Sequence, residues 1–153
     1  MDELAELHRF NAWANGSLLA GVRKLSAEQL DERRDGMYET VRGMLIHLAQ
    51  VEFGYLRMIR GEPREQLSWE LPLDEIARLL EETDAGLIDE ARTATADRRV
   101  RIPWFERDFT VPQMLRQVLT HSANHRADVN GWLPRFGVDS TDQDYIDLAL
   151  TEG

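Results

Sequence analysis

The sequence contains no cysteine, and this absence removes several kinds of chemistry at once. It excludes disulfides, thiolate metal sites, iron–sulfur clusters and a cysteine nucleophile. Lysine occurs once, at Lys24, so Schiff-base chemistry has a single candidate residue. Any catalysis must therefore use histidine, carboxylate or hydroxyl groups, or a ligand that the protein binds.

Positive charge and long apolar runs are also scarce. The chain has 18 lysine and arginine residues against 28 aspartate and glutamate residues, a formal net charge of -10. Binding to nucleic-acid backbones depends mainly on basic residues that displace counterions, so we expect no nucleic-acid partner. No segment has the roughly 18 apolar residues of a membrane span, and the acidic N-terminus does not resemble a signal peptide. We expect a cytoplasmic protein with no membrane partner.

The remaining composition favours one packed domain. Hydrophobic residues make up 42% of the 153 residues, which is enough for a single core spanning residues 1–153. Apolar residues recur at three- and four-residue steps in four long segments, a pattern typical of amphipathic helices. These predicted helices cover about 2–24, 40–60, 73–96 and 111–135.

The connections between these helices indicate a four-helix bundle. Segment 62–72 carries two prolines and is long enough for a crossover between helices. Residues 100–102 and 109–111 flank a turn and predict a small hairpin before the last long helix. A short fifth helix is predicted over 145–150, with Tyr145, Ile146 and Leu150 docking it to the bundle. The predicted fold class is all-α.

Three of the four histidines lie on inward-facing stripes. His121 and His125 are four residues apart, so their Cβ atoms lie about 6 Å apart on one face of a helix. His47 occupies the apolar stripe of the second long helix, while His8 is one position off its stripe and is predicted to be exposed. Three imidazoles from two facing helices would bind one metal ion and leave a coordination position open. The alternative is three partly buried histidines, each hydrogen-bonded to a neighbouring acceptor.

The surrounding residues narrow the type of metal site. Ser122 follows the first histidine of the pair, where a zinc protease needs a glutamate, so proteolysis of that kind is disfavoured. No glutamate stands three residues before His47, His121 or His125, which disfavours a di-iron centre. We therefore predict one divalent ion, zinc, nickel or iron, held by nitrogen ligands alone.

Five other residues are weaker candidates. Glu52 is rotated roughly 140° from His47 around the helix, and we predict a solvated or edge charge there. Arg126 is predicted to pair with a carboxylate of the first or second long helix. Trp13, Asn15 and Trp132 are candidates for the mouth of a pocket, although tryptophans at this spacing favour a core position.

Three segments resemble the DinB-like, or YfiT-like, family of proposed bacterial metalloenzymes. They are residues 10–15 of the first helix, 43–52 of the second, and 121–129, which contain His-x-x-x-His-Arg. The resemblance spans nearly the whole chain and implies an up-down-down-up bundle, often dimeric, with a divalent metal at His47, His121 and His125. Family members often carry Gly-Gln after the motif arginine, where this chain has Ala127-Asp128.

The resemblance also implies an activity. Some relatives use a low-molecular-weight thiol to open, isomerise or conjugate electrophiles. We therefore expect a metal-dependent enzyme that activates such a thiol, or water, toward a small-molecule substrate, acting as a homodimer. Two alternatives stay open: a non-catalytic metal-binding or stress-response dimer, and a helical interaction module with core histidines.

Overall fold

Four long helices carry most of the chain in the computed structural model, which describes residues 2–153. In chain order the elements are α1 (Glu3–Val22), α2 (Ala27–Leu30), α3 (Val41–Ile59), α4 (Leu73–Thr93), β1 (Arg99–Ile102), β2 (Arg107–Thr110), α5 (Val111–Trp132) and α6 (Tyr145–Thr151). The predicted all-α bundle, the small hairpin and the short C-terminal helix are confirmed.

Side-chain caps set the starts of α3 and α5, the two helices that carry the candidate metal ligands. The Thr40 side chain accepts a hydrogen bond from the Gly43 N–H at 3.0 Å. Thr110 and Gln113 form a reciprocal capping box, each side chain accepting from the other residue's backbone N–H. Helix α5 ends before Pro134 in a 3₁₀ turn (Leu133–Phe136), earlier than the pattern predicts, because proline cannot continue the α-helical hydrogen bonding.

Two apolar clusters pack toward opposite ends of the bundle. The Trp132 cluster includes Val22, Met44, Ile76 and Trp132. The Leu115 cluster includes Leu4, Leu56, Leu87 and Leu115. Helices α1 and α5 therefore run from the Leu115 cluster to the Trp132 cluster, whereas α3 and α4 run the opposite way. This is the up-down-down-up order, in which α3 and α5 are antiparallel.

The crossover between α3 and α4 explains why two consecutive helices are parallel. Its backbone returns along α3, where the Gln50 side chain donates to the Glu65 carbonyl and accepts from the Leu67 N–H. Nearer the start of α3, Arg42 donates to the Leu71 carbonyl at 2.8 Å. The chain thus reaches the N-terminal end of α3 before α4 begins.

The hairpin covers one end of the groove between α3 and α5. Strands β1 and β2 are antiparallel, with Arg99 opposite Thr110 and Ile102 opposite Arg107. Pro103 lies in the turn, outside the ladder, so its missing N–H costs the sheet nothing. Ile102 is buried in the Leu115 cluster and anchors the hairpin to the bundle.

The structure corrects the predicted exposure of residues in α1 and α6. His8 is buried with 1% of its surface exposed, because α1 packs against both α4 and α5 and buries a wider arc than its apolar stripe. In α6, Leu148 is the buried contact, while Ile146 and Leu150 are exposed, because a helix of seven residues presents only one side to the bundle. Tyr145 does dock on α1, where its ring meets the edge of Phe10 at 5.6 Å and its hydroxyl donates to Glu6.

The described residues, 2–153, include no helix with both the length and the apolar character needed to cross a lipid bilayer.

Candidate metal centre

The structure brings together the three histidines of the inward stripes. His47 lies on α3, and His121 and His125 lie one turn apart on the antiparallel neighbour α5. The Nε2 atom of His121 is 3.1 Å from the Nε2 atoms of both His47 and His125. All three ring nitrogens fall within 4.8 Å of one another, and all three side chains are partly buried.

This spacing fits ligands of one small cation. Two imidazole nitrogens bound at about 2.0–2.1 Å to a tetrahedral ion lie about 3.3 Å apart. The two observed separations of 3.1 Å are close to that value without any ion. Within residues 2–153, no other group of three or more histidine or carboxylate side chains converges in this way.

The protonation of the histidines also suits a cation. Burial, together with the nearby His125 and His47, lowers the pKa of His121 to about 4. Burial, followed by His125, also lowers the pKa of His47. Both rings are therefore neutral at neutral pH, which leaves a nitrogen lone pair free to bind a metal.

The histidines open to solvent through a small cavity of about 230 Å³, which we call the mouth. Tyr38, Glu39, Met44 and Trp69 line it beside His47 and His125. Tyr38 is 57% exposed and Trp69 is 59% exposed, so two large aromatic side chains flank the opening. A small molecule can thus approach His47 and His125 from one side.

A carboxylate lies behind His125. The Nδ1 atom of His125 is buried without a hydrogen-bond partner, and the Oδ2 atom of Asp128 is 3.6 Å away. The Tyr38 hydroxyl donates to the same Oδ2 atom. Burial, with a further contribution from Asp128, raises the pKa of Tyr38 to about 12, so this hydroxyl keeps its proton at neutral pH.

The prediction of a solvated Glu52 is wrong, because its side chain has 0% of its surface exposed. Ser122 donates to Glu52 Oε1 at 2.6 Å, and the amide of Asn11 donates to the same oxygen at 2.9 Å. The rotation of 140° from His47 points Glu52 into the bundle, since His47 itself faces the seam between α3 and α5. Polar Asn11 and Asn15, four residues apart on an otherwise apolar helix face, are the sequence signal for this buried partner.

Arg126 and Asn15 belong to the same buried network and do not line the mouth. Arg126 is 3% exposed, and its Nη1 donates to the Oδ1 atoms of Asn11 at 2.6 Å and Asn15 at 3.0 Å. The Asn15 amide donates in turn to Glu52 and to Asp84 of α4. We call Asn11, Asn15, Glu52, Asp84, Ser122 and Arg126 the polar layer. Arg126 therefore reaches the carboxylates through asparagines and not by a direct ion pair.

Neither tryptophan candidate lines the mouth. Trp132 is buried in the Trp132 cluster, as its helical spacing favours, and contacts the Tyr38 ring edge-on at 5.4 Å. Trp13 is partly buried on α1, where it stacks on Phe10 with ring centroids 6.1 Å apart. Of the predicted site residues, the three histidines alone converge.

The polar layer holds two carboxyl groups and one guanidinium. Burial raises the pKa of Asp84 well above its usual 3.8, and the negative charge of Glu52 raises it further. Burial lowers the pKa of Arg126, which nevertheless remains charged at neutral pH because an arginine titrates far above it. The raised pKa of Asp84 favours its protonated form, in which the layer carries less negative charge beside the guanidinium.

Comparison with known proteins identifies the family. The sequence model of the DinB superfamily matches residues 12–129, so the chain belongs to that superfamily. No curated protein matches the sequence.

Two solved structures share the fold. YfiT from Bacillus subtilis, described as a probable metal-dependent hydrolase with an unusual four-helix bundle topology, is 22% identical, with a TM-score of 0.72 over 90% of this chain and 89% of its own. A proposed DinB family member from Exiguobacterium sibiricum is 16% identical, with a TM-score of 0.67 over 90% of this chain and 94% of its own.

Replacing Arg126 tests the charge balance of the polar layer. We expect Arg126→Met to lower the free energy of unfolding by about 3 kcal/mol or more, because a buried carboxylate loses its counter-charge. Chemical denaturation measures this loss. The matched control Arg116→Met, at an exposed position of α5, should change stability by less than about 0.5 kcal/mol. An Arg126→Met protein as stable as the parent would contradict the account.

The pH dependence of stability tests the proton on Asp84. Because the folded pKa of Asp84 is raised, its contribution to stability is fully present below pH 3.8 and is lost as pH rises toward the folded value. An asparagine side chain has no proton to lose in this range, so the stability of Asp84→Asn relative to the parent should increase from about pH 4 to pH 8. Denaturation at several pH values gives this difference. The exposed Asp97→Asn is the matched control, and a flat curve for Asp84→Asn would refute the assignment.

Proposed function

We propose that His47, His121 and His125 bind one divalent metal ion and that the protein is a metal-dependent enzyme for a small-molecule substrate. The convergence of three Nε2 atoms beside an open mouth carries the proposal. Ligation by nitrogen alone suits zinc, nickel or iron. An ion with three protein ligands keeps a position open, where it lowers the pKa of water or of a thiol and so provides a nucleophile at neutral pH.

The nucleophile in this proposal is a low-molecular-weight thiol or water. A thiol cosubstrate would supply the sulfur that a chain without cysteine lacks. The description of YfiT as a probable metal-dependent hydrolase supports water. The protein's own contribution is the same in both cases: three convergent imidazoles, an aromatic opening, and the Tyr38 hydroxyl that donates to Asp128 beside His125. The expected homodimer and cytoplasmic location stay predictions.

Metal content tests the ligand set. Protein purified without a nickel column should contain about one equivalent of zinc, nickel or iron, and His121→Ala should contain almost none. His8→Gln is the matched control, since His8 is buried elsewhere and contacts the Leu115 carbonyl at 3.2 Å. It should retain the metal. Elemental analysis of all three proteins distinguishes these outcomes, and a metal-free parent after reconstitution with zinc would overturn the proposal.

Turnover by the metal-loaded protein then separates the alternatives. Product formation from an epoxide that requires added thiol would identify a thiol transferase, whereas ester hydrolysis without thiol would identify a hydrolase. His121→Ala provides the baseline for both reactions. A fully metal-loaded protein with no turnover in any combination would contradict the enzyme proposal and favour a non-catalytic metal-binding role.

Asp128 is proposed to orient His125 in the metal-bound state. Histidine ligands usually donate their second ring N–H to a carboxylate or carbonyl, and loss of that partner typically weakens metal binding by 10- to 100-fold. Asp128 is the carboxylate beside the unpartnered Nδ1 atom of His125, and Tyr38 holds it in place.

We therefore expect Asp128→Asn to weaken zinc binding about 10-fold or more, and Tyr38→Phe to weaken it less. Competition with a chelator measures both affinities. Asp139→Asn removes the same formal charge at an exposed position and should leave the affinity unchanged. If Asp139→Asn and Asp128→Asn weaken binding equally, the effect is one of overall charge and the orienting role is wrong.

A further inference from the structure

The mouth is smaller than a usual ligand pocket. Its volume of about 230 Å³ lies below the range of about 300–1,000 Å³ that is usual for ligand pockets. A second cavity of about 390 Å³ lies under the hairpin, and we call it the hairpin cavity. It is lined mainly by Tyr55, Phe105, Phe109, Gln113, Met114 and Gln117.

The hairpin cavity lies on the same helix faces as the three histidines. Tyr55 is eight residues after His47 on α3, so it lies two turns further along the same stripe. Gln117 is four residues before His121 on α5 and therefore one turn from it. Because α3 and α5 are antiparallel, both steps lead in the same direction along the seam. With a rise of 1.5 Å per residue, Gln117 lies about 6 Å along the helix axis from His121, and Tyr55 lies about 12 Å along it from His47.

The lining indicates the chemistry of an occupant. Three aromatic rings and a methionine supply apolar surface, while Gln113 and Gln117 supply neutral amides. No charged side chain among residues 2–153 lines this cavity. The volume is more than twice the roughly 150 Å³ of a cavity that accepts benzene. An uncharged aromatic or aliphatic group fits both the size and the polarity.

Phe105 has an exposed ring with no core role of its own. It is 57% exposed at the turn of the hairpin, and its ring meets the edge of Phe109 at 5.7 Å. The adjacent Trp104 is similarly exposed but lies under Arg64, outside the cavity lining. The two side chains therefore form a matched pair, one facing the cavity and one facing away from it.

We propose that the hairpin cavity binds the uncharged apolar arm of the molecule whose reacting end lies at His47, His121 and His125. This inference rests on the proposed metal-dependent function. The substrate class is thus an elongated molecule with a polar, metal-directed end joined to an aromatic or aliphatic arm by a spacer of about 6–12 Å.

Hydroxamates of two lengths test this inference without an activity assay. Acetohydroxamate offers a metal-binding group alone, and phenylhexanohydroxamate adds a phenyl group on a spacer long enough to reach the cavity. We expect the phenyl compound to bind the zinc-loaded protein at least about tenfold more tightly in calorimetric titrations, because the arm buries apolar surface. Phe105→Ala should lose most of this gain, and the matched control Trp104→Ala should keep it.

A second variant tests the polarity of the cavity. Gln113→Glu keeps the capping box of α5, since glutamate also serves at that position, but it places a carboxylate in the lining. It should weaken phenylhexanohydroxamate and leave acetohydroxamate unchanged.

The outcomes distinguish a failure of the cavity inference from a failure of the proposed metal-dependent function. Equal affinities for the two hydroxamates would overturn the cavity inference while leaving the metal centre intact. A gain that survives both Phe105→Ala and Gln113→Glu would place the arm elsewhere and also overturn the inference. If neither compound binds a protein that does contain zinc, the ion has no open coordination position. That result would contradict both the proposed function and the cavity inference.

Discussion

A guanidinium buried in the middle of the bundle is the constraint on which the rest of the structure depends. Arg126 of α5 cannot remain charged there without partners, and it finds them in two asparagines of α1. Those asparagines donate to Glu52 of α3 and Asp84 of α4, so the polar layer joins all four long helices at one level. The apolar clusters on either side exclude water from this layer, which makes every missing partner costly. The polar layer therefore specifies which helices pack together and how they are aligned along the bundle axis.

The polar layer also positions the candidate metal centre. Glu52 accepts from Ser122, and each of these residues shares a helix with a histidine of the centre. This bond fixes the register between α3 and α5, so that His47 lies opposite His121. Glu52 and Ser122 face inward and set the register between α3 and α5. The three histidines face the outer seam, where solvent can reach them. An open three-nitrogen site on a rigid pair of helices is the arrangement that a metal-dependent reaction requires.

Sequence reasoning was most successful where the physics is local. The pairing of His121 with His125 follows from helix periodicity, and the helix starts near residues 40 and 111 depend on residues within one turn. It failed for His8 and Glu52, because their burial depends on partners that other helices supply. The contact of Asp128 with Tyr38 could not be predicted either, since it joins residues 90 positions apart. Single-helix patterns predict which face is apolar, but they cannot show which polar side chains another helix will satisfy.

The central claim is that three imidazoles hold one metal ion and leave a position open. X-ray absorption spectroscopy of the zinc-loaded protein measures this most directly, because it reports the number and type of atoms around the ion. The account predicts three imidazole nitrogens at about 2.0–2.1 Å and one further light atom that a soluble thiol can replace with sulfur at about 2.3 Å. A spectrum with fewer than three imidazoles, or with four protein ligands and no exchange, would contradict it.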